Sequence, residues 1–282
     1  MKFLKKLFAP VDMTLGKPWE DILVFTVPML LGNIAQQLYN TVDSVVVGHY
    51  VGDNALAAVG SAGPIFNLLI VLFIGISVGA GILVSQYYGA RNREELSRTI
   101  GNSLTLTACA SIFVMVVATI LTRPLLELLG TPDSILDWCT SYLHIMFIGI
   151  AGMAFYNILS GILRGMGDSI SALLYLVVAS GLNIVLDLLF VAKFGMGVSG
   201  VALATAIAQG VSAVLCMLRL MKMKDAFDIK LIYMKMTKKH SIDIIKLGVP
   251  SGVTQAIMSM AMLVVQSLTC YQAHYNKLIF HL

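Results

Sequence analysis

Charge is what this sequence has least of. Only 12% of its 282 residues are Asp, Glu, Lys or Arg, about half the share usual in a soluble domain, while 58% are hydrophobic. A soluble core cannot absorb that much apolar surface, and lipid can, so an ordinary water-soluble fold is excluded. Cysteine is also scarce. Cys109, Cys139, Cys216 and Cys270 lie far apart with no CxxC pair, which excludes a disulfide framework and a zinc site built on thiolates. His49, His144 and His240 are equally isolated. No nucleophile–base pair, cofactor loop or metal-ligand spacing is visible, so no enzyme chemistry, cofactor or metal centre is expected. A formal charge of +4 invites a nucleic-acid reading, but the placement of the basic residues assigns them to membrane topology. The first apolar run is too long for the core of a signal peptide, and no small-residue cleavage site closes it.

What is present is a series of long apolar runs. An apolar segment of about 20 residues crosses a bilayer as a helix, because backbone against lipid must satisfy its own hydrogen bonds. Seven such segments are expected, at about 21–48, 56–87, 99–121, 138–163, 170–192, 198–220 and 242–268. The fold class is therefore an all-α polytopic transmembrane bundle. Gly, Asn, Asp and Arg punctuate the breaks near residues 52, 89, 130, 165 and 195, and the sixth break, 221–241, is longer and basic. With the N-terminus inside, sixteen of the 19 Lys and Arg residues fall on the inner side, and only Arg123 and Lys193 fall in outer breaks. That asymmetry predicts a multi-pass protein of the cell inner (plasma) membrane with a cytoplasmic N-terminus. The expected organisation is a cytoplasmic segment (1–20), a six-helix lobe (21–220), a basic cytoplasmic linker (221–241) and one further helix (242–268). The remaining stretch, 269–282, reads as an atypical tail, neither helix nor loop.

Two acids sit inside these runs. Asp43 is followed by Ser44 and three valines near the outer end of the first run. Asp187 lies six residues before Lys193, about 9 Å inside the outer boundary of the fifth. Asn183 is at i−4 from Asp187 and stacks on the same helix face. Thr205 lies one to two turns into the sixth run from the same side. An ionisable side chain at membrane depth costs about 2.5–3.5 kcal/mol or more and commonly marks an ion or substrate path. Two carboxylates in low dielectric resist joint ionisation and favour a shared proton or a bound cation, with a sodium ion at Asp43 and Asp187 as the one metal reading left open. Asn183 and Thr205 can supply oxygen ligands or hydrogen bonds. The plainer reading has Asp43 capping a local bend and Asp187 pairing with Lys193. Asn33, Gln36, Gln37 and Asn40 follow i, i+3, i+4, i+7 spacing and form, with Tyr39 beside them, a polar face able to line a substrate cavity. Asn157 faces either that cavity or a neighbouring helix. Gly75, Gly79 and Gly81 suggest close helix packing.

An internal echo completes the picture. Residues 243–250 (DIIKLGVP) repeat 21–28 (DILVFTVP) with Asp, Ile, Val and Pro in register, each after a basic stretch. Parallel repeats of this kind are a transporter signature. Residues 28–43 (PMLLGNIAQQLYNTVD), 52–60 (GDNALAAVG), 161–168 (GILRGMGD) and 183–187 (NIVLD) resemble the multidrug and toxic compound extrusion (MATE) family over about residues 15–268. The resemblance implies a six-helix N-terminal lobe plus the first helix of a second lobe that is mostly missing here. It implies export of small-molecule drugs and toxins, often organic cations, in exchange for protons or sodium ions. It also implies a cation site of Asp43, Asn183, Asp187 and Thr205, with Asn157 as a neighbour. Two alternatives stay open: a lipid-linked saccharide flippase of the same superfamily, and a truncated membrane fragment that does not transport.

Overall fold

The computed structural model describes residues 18–223, 226–228 and 230–280, and the described residues form helices and connecting turns without strands. The helices are α1 (Pro18–Tyr50), α2 (Asp53–Gly89), α3 (Arg93–Leu128), α4 (Asp133–Ile148), α5 (Ile150–Gly165), α6 (Ser169–Asp187), α7 (Gly197–Lys222) and α8 (Lys238–Phe280). Five of the seven expected apolar segments fall within single helices, while 138–163 spans α4 and α5 and 170–192 runs past the end of α6. Among the described residues, four helices are long and apolar enough to cross a membrane, and five if the bent α4–α5 pair is one span. The protein is a multi-pass helical membrane protein.

Two segments depart from straight helix. The fourth run is broken at Gly149, where α4 and α5 meet at 49°. The break is a packing solution. A side chain at Gly149 would collide with Ala206 of α7, so its absence lets the bend press against that helix. The fifth run ends in a π-helical turn, Leu188–Lys193, directly after Asp187. Wide turns of this kind are rare and concentrate at functional sites.

The last expectation fails outright. Residues 269–280 are not an atypical tail but the continuation of α8, which runs to Phe280. After Gly252 the sequence contains neither Gly nor Pro, so nothing local stops the helix. The first 17 residues of the expected N-terminal segment, and residues 281–282, lie outside the described residues.

Lipid is as apolar as leucine, so helices in a bilayer associate through close packing rather than hydrophobic exclusion. α2 is built for that. On one face Gly161 of α5 sits against Ser77, and Gly165 against Gly81. On the other, Gly75 meets Gly248 of α8, and Gly79 meets the backbone of Ile244. α2 is thus the shared wall between the six-helix body and α8. Buried hydroxyls along α3 bond back to the preceding turn, as Ser103 does to the Thr99 carbonyl at 2.7 Å and Ser111 to the Thr107 carbonyl at 2.7 Å. Bonding to the preceding turn satisfies these hydroxyls without water, whereas the Thr99, Thr107 and Thr119 hydroxyls of the same helix are buried without a partner among the described residues.

The basic break is not a free linker. Its described part lies along the start of α3. The Asp228 amide donates to Ser97 Oγ at 2.9 Å, Thr105 Oγ1 donates to the Met234 carbonyl at 2.8 Å, and the buried Asn102 side chain accepts from the Thr237 amide. Arg93 pairs with Asp228 at 2.8 Å and holds its carboxyl below the ordinary carboxylate range. His240 Nε2 meets Glu95 Oε2 at 3.1 Å. Asp168 closes the same end of the bundle, accepting from the Ser171 amide at 3.1 Å and from Arg219 of α7 at 2.7 Å.

The glycine contacts make a direct prediction. Gly79→Val should destabilise the α2–α8 contact by about 1–3 kcal/mol, because the added atoms meet backbone rather than a movable side chain. Gly63→Ala, with nothing within 4 Å of the new methyl, should be neutral. Thermal unfolding of the detergent-solubilised chain compares the two.

Candidate cation site

α1, α6 and α7 bring the candidate residues to one depth. Asp43 lies seven residues before the end of α1, Asp187 closes α6, and Thr205 lies eight residues into α7. All three therefore sit about 10 Å from the less basic end of the bundle at 1.5 Å per residue. Asn183, Asp187 and Thr205 are buried, with Asn183 and Asp187 at 0% exposure, and Asp43 is half-buried.

Asn183 is the hub. Its amide is satisfied when the nitrogen points at the acids, donating to Asp43 Oδ1 at 2.8 Å and to Asp187 Oδ2 at 3.1 Å. The other amide atom then faces the Thr205 hydroxyl, 3.5 Å away. Asp43 is itself in hydrogen-bonding reach of Asp187 and Thr205. One amide therefore bridges carboxylates from two helices, and the i, i+4 spacing of Asn183 and Asp187 makes this possible. Asp187 Oδ1 is buried and has no hydrogen-bond partner. An acceptor in that position leaves a place for a proton or a hard cation. Neither plain reading of the acids describes this geometry. The contacts of Asp187 run to Asn183 and Asp43 rather than to Lys193 at the far end of the π turn.

Two tyrosines join the cluster. Tyr39, expected in the substrate cavity, is buried instead, beside Thr205. Tyr142 of α4, which the sequence reading did not single out, is buried close enough to interact electrostatically with both acids. Its signal was depth: it lies nine residues into α4 from the same end of the bundle.

The remaining candidates separate from this cluster. The Asn157 side-chain amide donates to the Met153 carbonyl at 2.8 Å, and the Asn157 backbone carbonyl accepts from Ser77 of α2 at 2.6 Å. Asn157 lines a different cavity, between α1, α5 and α6, together with Asn33 and Gln36. Gln36 precedes Asp43 by seven residues, so this cavity is two turns closer to the basic end. The sequence leaves Asn157 facing either the cavity or a neighbouring helix, and it is on the cavity side; its place beside the acids is what the family resemblance implies. Gln37 and Asn40 are exposed on α1 and do not line that cavity. The polar face expected along α1 is therefore divided, with Asn33 and Gln36 turned to the cavity. Among the described residues no cluster of three or more His, Cys, Asp or Glu side chains is arranged to hold a metal ion.

A multi-helix membrane bundle with acids bridged at one depth has the form of a secondary transporter lobe. Comparison with known proteins agrees. The MatE family model matches residues 28–189, and the chain belongs to that family. It is 34% identical over 267 residues to the probable multidrug resistance protein YoeA of Bacillus subtilis (strain 168), covering 92% of this chain and 57% of that protein. It is 26% identical to the multidrug export protein MepA of Staphylococcus aureus (strain MRSA252), again over 92% of this chain and 57% of the relative. Among solved structures, it matches an outward-facing multidrug resistance MATE family transporter of the MOP superfamily. The TM-score is 0.85 at 32% identity, with 92% of this chain and 57% of that one covered. The chain thus spans about half the length of the curated relatives it matches.

If Asn183 holds both acids, removing its amide loosens the site without touching the acids. Asn183→Ala should lower stability by about 2–4 kcal/mol, since hydrogen bonds to charged groups are worth about 1.5–3 kcal/mol each. Asn40→Ala, which removes an exposed amide from α1, should change nothing measurable. Unfolding temperatures in detergent decide between them.

Proposed function

We propose that this chain is the cation-coupled lobe of a multidrug antiporter, with Asp43, Asn183, Asp187 and Thr205 as the coupling site. The observation that carries this reading is the single Asn183 amide shared by acids from α1 and α6, beside a buried Asp187 oxygen with no partner. A proton or a sodium ion bound there removes the charge conflict between the two acids and lets α1 and α6 draw together. Without it the pair is strained, and α1, which carries Asp43, is the element free to respond. α1 contains Pro28 two turns before Gln36, a point where the helix lacks one backbone hydrogen bond. A shift of α1 changes the exposed polar face that bears Gln37 and Asn40, where an exported small molecule would be held. Drug and cation then weaken each other's binding by the same factor, as linkage requires.

The relatives' names, which describe multidrug resistance and export, support organic compounds as cargo. The basic break and the N-terminus lie in the cytoplasm in this reading, and residues 21–220 form one lobe with 242–268 opening a second. The membrane is the cell inner (plasma) membrane.

The test grafts this chain in place of the matching half of a full-length relative such as YoeA. In vesicles with an imposed proton or sodium gradient, the graft should drive gradient-dependent drug efflux. Asp43→Asn should abolish that dependence while the protein still inserts. Efflux that ignores the gradient in the unmodified graft would reject coupling at this site.

A further inference from the structure

Arg164 stands in the last turn of α5, half-buried, and lines the cavity between α1, α5 and α6. Its one polar contact among the described residues is weak, Nη2 to Ser160 Oγ at 3.5 Å, and the Ser160 hydroxyl already donates to the Asn157 backbone carbonyl. Among the described residues no carboxylate pairs with it. The nearby acid Asp168 is committed to Arg219 at 2.7 Å. The titratable side chains that interact with the Arg164 guanidinium are Tyr156 and Cys216, neither an acid at neutral pH. A guanidinium has five donors in a planar fork, so most of its hydrogen-bonding capacity is unspent.

The rest of the cavity lining has the same bias. Asn33 and Gln36 contribute amides that make no hydrogen bond within the described residues, and no Asp or Glu lines the space. The N-terminal turn of α6 borders it at Ser169, with backbone dipoles that favour negative charge. The cavity holds about 60 Å³. At roughly 10–15 Å³ per water-sized occupant, that is room for one phosphate or carboxylate group. A half-buried cation in a membrane span is costly unless something neutralises it.

We propose that this cavity is an oxyanion site, in which Arg164, with the Asn33 and Gln36 amides, binds a phosphate group. The phosphate comes from an anionic lipid of the adjoining leaflet or from solution. The lipid source rests on the orientation proposed above, which makes that leaflet the inner one. The site is separate from the acid cluster: it lies two turns along α1 and takes the opposite charge.

The test uses the full chain and needs neither drug nor gradient, so its failure is distinct from failure of coupling. The chain is reconstituted in phosphatidylcholine vesicles with increasing phosphatidylglycerol, and separately titrated in detergent with inorganic phosphate. Unfolding temperature reports binding in both. The wild type should be stabilised by at least one probe. In Arg164→Gln the midpoint should move about tenfold higher, as expected for loss of a charge-assisted bidentate contact. Arg164→Lys should recover part of the effect, and Lys222→Gln, at the end of α7, should leave it unchanged. If Arg164→Gln fails to fold, Asn33→Leu with Gln36→Leu keeps the arginine and should weaken the same response. A response to lipid alone assigns the lipid phosphate, and one to inorganic phosphate alone assigns the free anion. Equal responses in wild type and Arg164→Gln, or equal loss in Lys222→Gln, overturn the site.

Discussion

Two carboxylates from different helices cannot both carry charge at short range in a low-dielectric interior unless something positive or hydrogen-donating stands between them. Asn183 does part of that work, donating at 2.8 Å to Asp43 and 3.1 Å to Asp187. The constraint reaches well beyond the site. α6 must present Asn183 and Asp187 one turn apart on one face, and α1 must reach the same depth. α7 must come close enough for Thr205 to touch the amide. The small residues of α7 and the bend at Gly149 allow that approach, because larger side chains would hold α7 away. The wide turn that follows Asp187 spends backbone regularity at the point where the acid needs its position.

A second consequence is that charge is sorted along the bundle. Asp43 and Asp187 lie near one end, while Arg164, Asp168, Arg219, Glu95 and His240 lie at the other. At the basic end Asp168 pairs with Arg219 of α7, and Glu95 of α3 meets His240 of α8. These contacts tie α6 to α7 and α3 to the start of α8. α1 takes no described part in those ion pairs. It packs chiefly along α6, with one long face exposed and a proline inside. An element held at its acid and left free along one face is suited to move when the acid's partner changes.

Much of this was legible in residues 21–268. Apolar run length predicts spans because lipid leaves the backbone no other choice, and Asn183, Asp187, Asp43 and Thr205 could be brought together from depth alone. Helical periodicity reports the face and height of a residue, not which neighbour that face meets. So Tyr39 was assigned to the cavity although it points to Thr205, and Tyr142 was overlooked. The break at Gly149 was hidden for the same reason, because it depends on Ala206, a residue of another helix. Arg164 stands beside a Gly-rich turn in the sequence, and only packing shows that its helix continues through it and turns it to a cavity. The docking of the basic break on α3 was equally hidden. Asn102 and Ser97 look like ordinary polar residues until their partners arrive from more than a hundred positions away.

The central claim is that Asp43 and Asp187 share one charge-compensating partner. Infrared difference spectroscopy of the purified chain measures this, by counting the protonated carboxyl groups that disappear when sodium or base is added. The account predicts one such group for the pair, lost entirely in Asp43→Asn and in Asp187→Asn alike. Two carboxyl groups that titrate independently, each unaffected by removal of the other, would contradict it.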